Sequence, residues 1–126
     1  MNVNTLSPST LAFVGDAYYG LLVRELLAET NRPSGELHSA SVKLVKAGAQ
    51  AEAFKAIQPH LTEQEISIYK RGRNAHVNSI PKNSTVSEYH SATGIETLFG
   101  YLHLSGNDKR AKELFALILE NFREKL

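Results

Sequence analysis

The sequence contains no cysteine, which excludes a disulfide framework and any thiolate metal site. That absence fits a reducing compartment, and a cytoplasmic location is the expectation. The chain does not open on a basic segment followed by an apolar run, so no signal peptide is expected. Long hydrophobic runs are missing as well. The stretch poorest in charge, Met1 to Val23, is broken by Pro8, Asp16 and several hydroxyl residues, which rules it out as a membrane span. Neither sign of charge dominates: the formal net charge is +1, which argues neither for nor against nucleic acid. Period-two alternation, internal repeats and low-complexity tracts are also absent. What remains is 126 residues with 42% hydrophobic composition, about one domain, with enough apolar material for a core. The expectation is a single all-α domain spanning residues 1–126.

The helices are legible from caps and periods. Ser7-Pro8-Ser9-Thr10 places hydroxyl caps around a proline ahead of an apolar run, so a helix is expected from about Ser9 to Glu29. Along it Phe13, Val14, Ala17, Tyr18, Leu21, Leu22 and Leu26 recur at helical spacing. Asn31-Arg32-Pro33 stops it. A second stretch runs from Ser34 to Ile57 with a break expected near Gly48, followed by a turn at Gln58-Pro59-His60. Thr62 with Glu65 has the capping-box spacing and starts a short helix ending near Gly72. Arg73 to Thr85 reads as loop. A helix from Val86 to Leu104 follows, closed by Ser105-Gly106-Asn107. The last helix, Asp108 to Phe122, should turn Ala111, Leu114, Phe115, Leu117, Ile118 and Phe122 inward.

Charge is unevenly spread. Between Arg32 and Thr85 stand eight Lys/Arg and four acids, so the middle of the chain is basic. Acids are scarce in two other places. Asp16 is the only charged or histidine residue in the first 23, and Glu96 is the only acid between Glu88 and Asp108. Each lies in a helix built largely of apolar residues, where an uncompensated carboxylate is costly. Their surroundings match: Ala12, Tyr19 and Gly20 about Asp16, and Ala92, Phe99 and Gly100 about Glu96, at offsets that share one helix face. Small residues on that face let a helix or a ligand approach closely, and mid-helix Gly20 and Gly100 ask for such a reason. Two readings follow. Each carboxylate caps a helix or pairs with a buried Arg or His, or the two jointly hold a divalent cation of the oxygen-preferring kind, such as Mg²⁺.

The motifs around these acids resemble a known family. Leu11-Ala12-Phe13-Val14-Gly15-Asp16-Ala17 is similar to the signature helix of the ribonuclease III family, roughly Leu-Glu-Phe-Leu-Gly-Asp-Ser/Ala. Ala92-Thr93-Gly94-Ile95-Glu96-Thr97-Leu98-Phe99-Gly100-Tyr101-Leu102-His103-Leu104 resembles its second acidic helix. Lys70-Arg71-Gly72-Arg73-Asn74-Ala75 and Pro81-Lys82-Asn83 resemble the Mini-III branch. Two departures stand out. Ala12 and Thr93 occupy positions where ribonuclease III carries a Glu and an Asp, and Mini-III enzymes similarly keep only the Asp and Glu that correspond to Asp16 and Glu96. Nothing resembling the double-stranded-RNA-binding domain follows the helical part.

The resemblance implies a ribonuclease III-type helical domain acting as a Mg²⁺-dependent endoribonuclease on double-stranded RNA, with Asp16 and Glu96 as catalytic and metal-binding residues. It implies a symmetric homodimer with one site per subunit, products with 5′-phosphate and 3′-hydroxyl ends, and maturation of the 23S ribosomal RNA precursor. It leaves room for assistance by a ribosomal protein. A catalytically silent RNA-binding or ribosome-assembly module on the same fold is the alternative.

A duplex has to be held beside two carboxylates, and cations must flank them. Lys70, Arg71, Arg73, Lys82 and His76 are the RNA-binding candidates, although cations at a helix C-terminus also suit its dipole with no ligand at all. Lys43 and Lys46 are weaker candidates. The five histidines form no zinc pattern, and no Glu-x-x-His pair occurs, which removes a di-iron bundle. Tyr18, Tyr19 and Tyr101 read as packing residues. A helix-turn-helix regulator is disfavoured because the cations gather around a loop and not along one helix.

Overall fold

The computed structural model describes residues 1–75 and 84–125. Six α-helices account for most of them: α1 Pro8–Ala28, α2 Ser34–Val45, α3 Ala47–Ile57, α4 Glu63–Arg73, α5 Val86–Leu104 and α6 Asp108–Lys125. Short 3-10 turns precede α1 and follow α3. No strand occurs among the described residues, and none of the described helices is long and apolar enough to cross a membrane.

Local chemistry sets the ends. Ser7 accepts the Thr10 amide at 3.1 Å and Pro8 opens α1, which satisfies a donor that the first turn leaves without a partner. Thr62 with Glu65, and Thr85 with Glu88, form complete capping boxes at the starts of α4 and α5. The break expected near Gly48 falls two residues earlier, at Lys46, whose ψ of 155° is extended. Asn31 at φ 48° and Gly106 at φ 78° turn the chain after α1 and α5. Of the loop expected between Arg73 and Thr85, Arg73 belongs to α4, and residues 76–83 lie outside the described residues.

The architecture is organised around α5. It packs on α1, α3, α4 and α6, so apolar residues are needed on every side of it. Ile95, Leu98 and Phe99 are fully buried. Tyr19 meets Phe99 and Phe115 edge-on, at 5.1 and 5.6 Å between ring centres, a favoured aromatic geometry. Tyr18 is buried too, stacked on His103. Tyr101 is half-buried and bonded through its hydroxyl to Gln64 and Asn4. In α6 Ala111, Leu114, Phe115 and Ile118 are buried and Leu117 and Phe122 partly so.

One ion pair ties the periphery. Arg110 on α6 donates twice to the Glu65 carboxylate at 2.9 Å and once to the His60 carbonyl at 2.7 Å. Glu65 is therefore both the capping residue of α4 and the anchor of α6. Burial pushes its carboxyl up, but hydrogen bonds from Arg110 and Thr62 hold it below its ordinary value. A depressed carboxyl contributes stability that is present above its unfolded-state value and is lost as pH falls through the folded one. Arg110→Ala is expected to cost about 2–3 kcal/mol, because it leaves the Glu65 charge buried and unpaired. Thermal melts from acid to neutral pH check this: the variant should melt roughly 10 °C lower at neutral pH and converge on wild type at low pH.

Candidate active site

Asp16 and Glu96 meet where α1 crosses α5. The crossing is unusually close, and the cause is two glycines. A Cβ on Gly15 would occupy the space of the Glu96 carbonyl, and one on Gly100 that of the Leu11 carbonyl. With hydrogen in both places the two backbones touch, and the residues beside the contact, Asp16 and Glu96, stand close enough for the Asp16 charge to act on the Glu96 carboxyl. The small-residue face expected about Asp16 is thus corrected in one respect. Gly15 admits the neighbouring helix, whereas a Cβ on Gly20 would meet only the Arg24 guanidinium.

The two acids differ in environment. Glu96 is largely buried, facing Asp16 from α1 and Gln50 from α3, and burial followed by the Asp16 charge raises its carboxyl to about 8. Burial, and after it the Glu96 charge, also pushes the Tyr19 phenol above its usual range. Asp16, in contrast, is exposed. So are Phe13 at 80% and Leu21 at 51%, which were expected to share one apolar stripe with Tyr18 and Leu22. The apolar residues of α1 divide into a buried face and an outward stripe, Phe13–Ala17–Leu21, that runs beside Asp16.

Among the described residues no third Asp, Glu, His or Cys joins the pair to make a metal-ligating group. Ala12 is buried, and Thr93 bonds its hydroxyl back to the Tyr89 carbonyl at 3.0 Å. Gln50 was not singled out from the sequence. It is 2% exposed, and it stands beside Glu96, whose carboxyl its side chain acts to lower. The available signal was a single uncharged polar side chain in the alanine-rich helix α3.

The basic turn stands to one side of the acids. Lys70, Arg71 and Arg73 are exposed in the last turn of α4. Arg71 donates to the Leu6 carbonyl at 3.3 Å, which sets this turn against the start of α1, roughly two helical turns from Asp16. Arg73 lies over the Tyr69 ring at 6.0 Å and bonds Asn74 at 3.3 Å. His76 and Lys82 lie outside the described residues. Lys43 and Lys46 are exposed on and just after α2.

An exposed and a largely buried carboxyl group thus face each other across a helix crossing, with exposed cations in the last turn of α4. Comparison with known proteins identifies the family. The Ribonuclease III domain model matches residues 9–107, and the chain belongs to the ribonuclease III family, whose members are endoribonucleases acting on RNA. Within that family the chain is similar to proteins named Mini-ribonuclease 3. That of Thermoanaerobacter sp. (strain X514) is 46% identical over 123 residues, covering 97% of this chain and 87% of the relative. That of Clostridium tetani (strain Massachusetts / E88) is 36% identical over 125 residues, covering 98% and 83%. The crystal structure of protein FN1578 from Fusobacterium nucleatum superposes with a TM-score of 0.85 at 28% identity, over 90% of this chain and 93% of that one.

Proposed function

We propose that this chain is a divalent-cation-dependent endoribonuclease that hydrolyses phosphodiester bonds in double-stranded RNA as a cytoplasmic homodimer, and that it matures the 23S ribosomal RNA precursor. One observation carries the catalytic part: the α1–α5 crossing brings Asp16 and Glu96 together. The donor set fits Mg²⁺, which takes oxygen ligands and keeps several waters. The raised Glu96 carboxyl fits it too: burial first, and the facing Asp16 charge after it, favour the protonated form, and a bound cation would favour the ionised one. Bound there, the cation would supply an activated water and charge stabilisation at the phosphoryl oxygens. The chain's own part is positional: Asp16 presents its carboxylate at the surface, Glu96 closes the inner side, and Lys70 and Arg73 neutralise phosphates along the duplex. Phosphate contacts of this kind hold a duplex by its shape and backbone.

The second reading is a catalytically silent RNA-binding or ribosome-assembly module on the same fold. One experiment separates the two. Long duplex RNA incubated with the protein and Mg²⁺ should be cut on both strands, leaving 5′-phosphate ends, and should stay intact in EDTA. Intact RNA under both conditions, with binding retained, would select the silent module.

The homodimer rests on the exposed stripe of α1. Phe13 and Leu21 with Ala17 between them form an apolar surface beside Asp16, the kind of patch that marks an interface. Two-fold pairing through it would set two sites side by side, one for each strand. Phe13→Lys is expected to weaken association at least about 30-fold, since a central aromatic anchor contributes roughly 2 kcal/mol or more. Sedimentation equilibrium checks it: wild type should be dimeric where the variant is monomeric, and a variant that dimerises like wild type would remove α1 from the interface.

A further inference from the structure

One polar group beside the two acids neither carries charge nor packs as an apolar side chain would. Gln50 is almost wholly enclosed, at 2% exposure, on a helix whose other buried residues are Ala49, Ala53 and Ile57. α3 packs directly against α5, and this packing sets Gln50 close enough to Glu96 to act on its carboxyl. The other end of the same side chain, Oε1, is buried without a hydrogen-bond partner among the described residues. A buried acceptor left without a donor destabilises the fold. Methionine, of nearly the same length and volume, would fill the space without that cost. A polar group that weakens the fold where an apolar one would fit, and that touches one of the two acids, points to the chemistry of the site and not to packing.

We propose that Gln50 is a positioning residue: its side chain holds the Glu96 carboxylate in the orientation in which that carboxylate and Asp16 would hold the divalent cation. The proposal rests on the reading of the pair as a cation site. Groups that orient a metal-ligating side chain typically matter 10- to 100-fold in metal affinity or activity, by order of magnitude. Gln50 acts through Glu96, so its effect should fall on the chemical step and on cation affinity. Duplex binding, which the exposed cations of α4 serve, should not change.

The test uses the full chain and Mn²⁺ as probe. Mn²⁺ binding is titrated by electron paramagnetic resonance without RNA, for wild type, Gln50→Met and Gln50→Leu. Cleavage of duplex RNA is followed in parallel, and melting temperatures are taken in EDTA. Both variants should melt at or above the wild-type temperature, bind Mn²⁺ about 10- to 100-fold more weakly, lose kcat by a similar factor and keep KM for RNA within about twofold. Excess Mn²⁺ should restore much of the rate. Wild-type Mn²⁺ affinity and kcat in both variants would overturn the proposal, as would activity losses that follow a lowered melting temperature. A wild-type chain that neither binds Mn²⁺ nor cuts duplex RNA would overturn the cation-site reading together with it.

Discussion

Replacing Glu96 by Gln is expected to reduce strand cleavage by at least about 10³-fold, ~4 kcal/mol of transition-state stabilisation, while leaving a folded chain that still binds duplex RNA. Asp16→Asn should do the same. Each substitution exchanges a carboxylate for a neutral amide of the same shape, so packing at the crossing is kept and the charge that would hold a cation is halved. Single-turnover cleavage at saturating enzyme measures the loss, and near-native rates at ordinary Mg²⁺ in either variant would remove the pair from the chemistry. The two substitutions separate in their pH behaviour, because only Glu96 is largely buried. Its carboxyl is raised to about 8 in the folded chain, against roughly 4.3 in an unfolded one. Between those values the native state holds a proton that the unfolded state releases. The contribution to stability is therefore complete below about 4.3 and is lost as pH rises towards 8. Melting temperatures in EDTA should fall over that interval for wild type and Asp16→Asn, less steeply for Asp16→Asn, which lacks the neighbouring charge. For Glu96→Gln this component should vanish. Added Mg²⁺ should reverse the trend for wild type alone, because a cation favours the ionised pair.

A second large effect is expected at the crossing itself. Gly15→Ala should cost more than about 3 kcal/mol, at or beyond the upper end of ordinary overpacking, because the added methyl would meet the Glu96 carbonyl, and backbone cannot turn aside as a side chain can. α1 would have to lift from α5, exposing the core and parting Asp16 from Glu96. Insoluble expression, or a lowered denaturation midpoint with cleavage lost, is the expected result. Gly20→Ala is the control in the same helix. Its methyl would meet only the Arg24 guanidinium, 2.8 Å away at the end of a flexible side chain. That substitution should be neutral or stabilising by up to ~1 kcal/mol, the difference in helix propensity. A Gly15→Ala variant as stable as Gly20→Ala would mean that the helices do not touch as described.

The limits of local information show in these residues. Helix ends were legible because a cap acts within four residues: Ser7, and Thr62 with Glu65, announce their helices whatever packs on them. The box of Thr85 with Glu88 at the start of α5 acts in the same way, and the two candidate acids stood out by their isolation in apolar surroundings. Which glycine carried the crossing was not legible. Gly15 and Gly20 are equivalent in a sequence, and only the position of α5 decides that one of them meets a carbonyl and the other an arginine. Nor could periodicity tell that Phe13 and Leu21 point outward while Tyr18 and Leu22 point in, since an apolar stripe reads the same whether the same chain or another molecule covers it. Glu65 was visible as a cap and invisible as the partner of Arg110, 45 residues away. Gln50 carried no signal specific to a site, because an amide becomes informative only when burial and its neighbour are known. The sequence by itself determined the helices, their order and the two acids. The tertiary structure decided what each helix face meets: close approach, burial and charge pairing depend on distances between segments far apart in the chain.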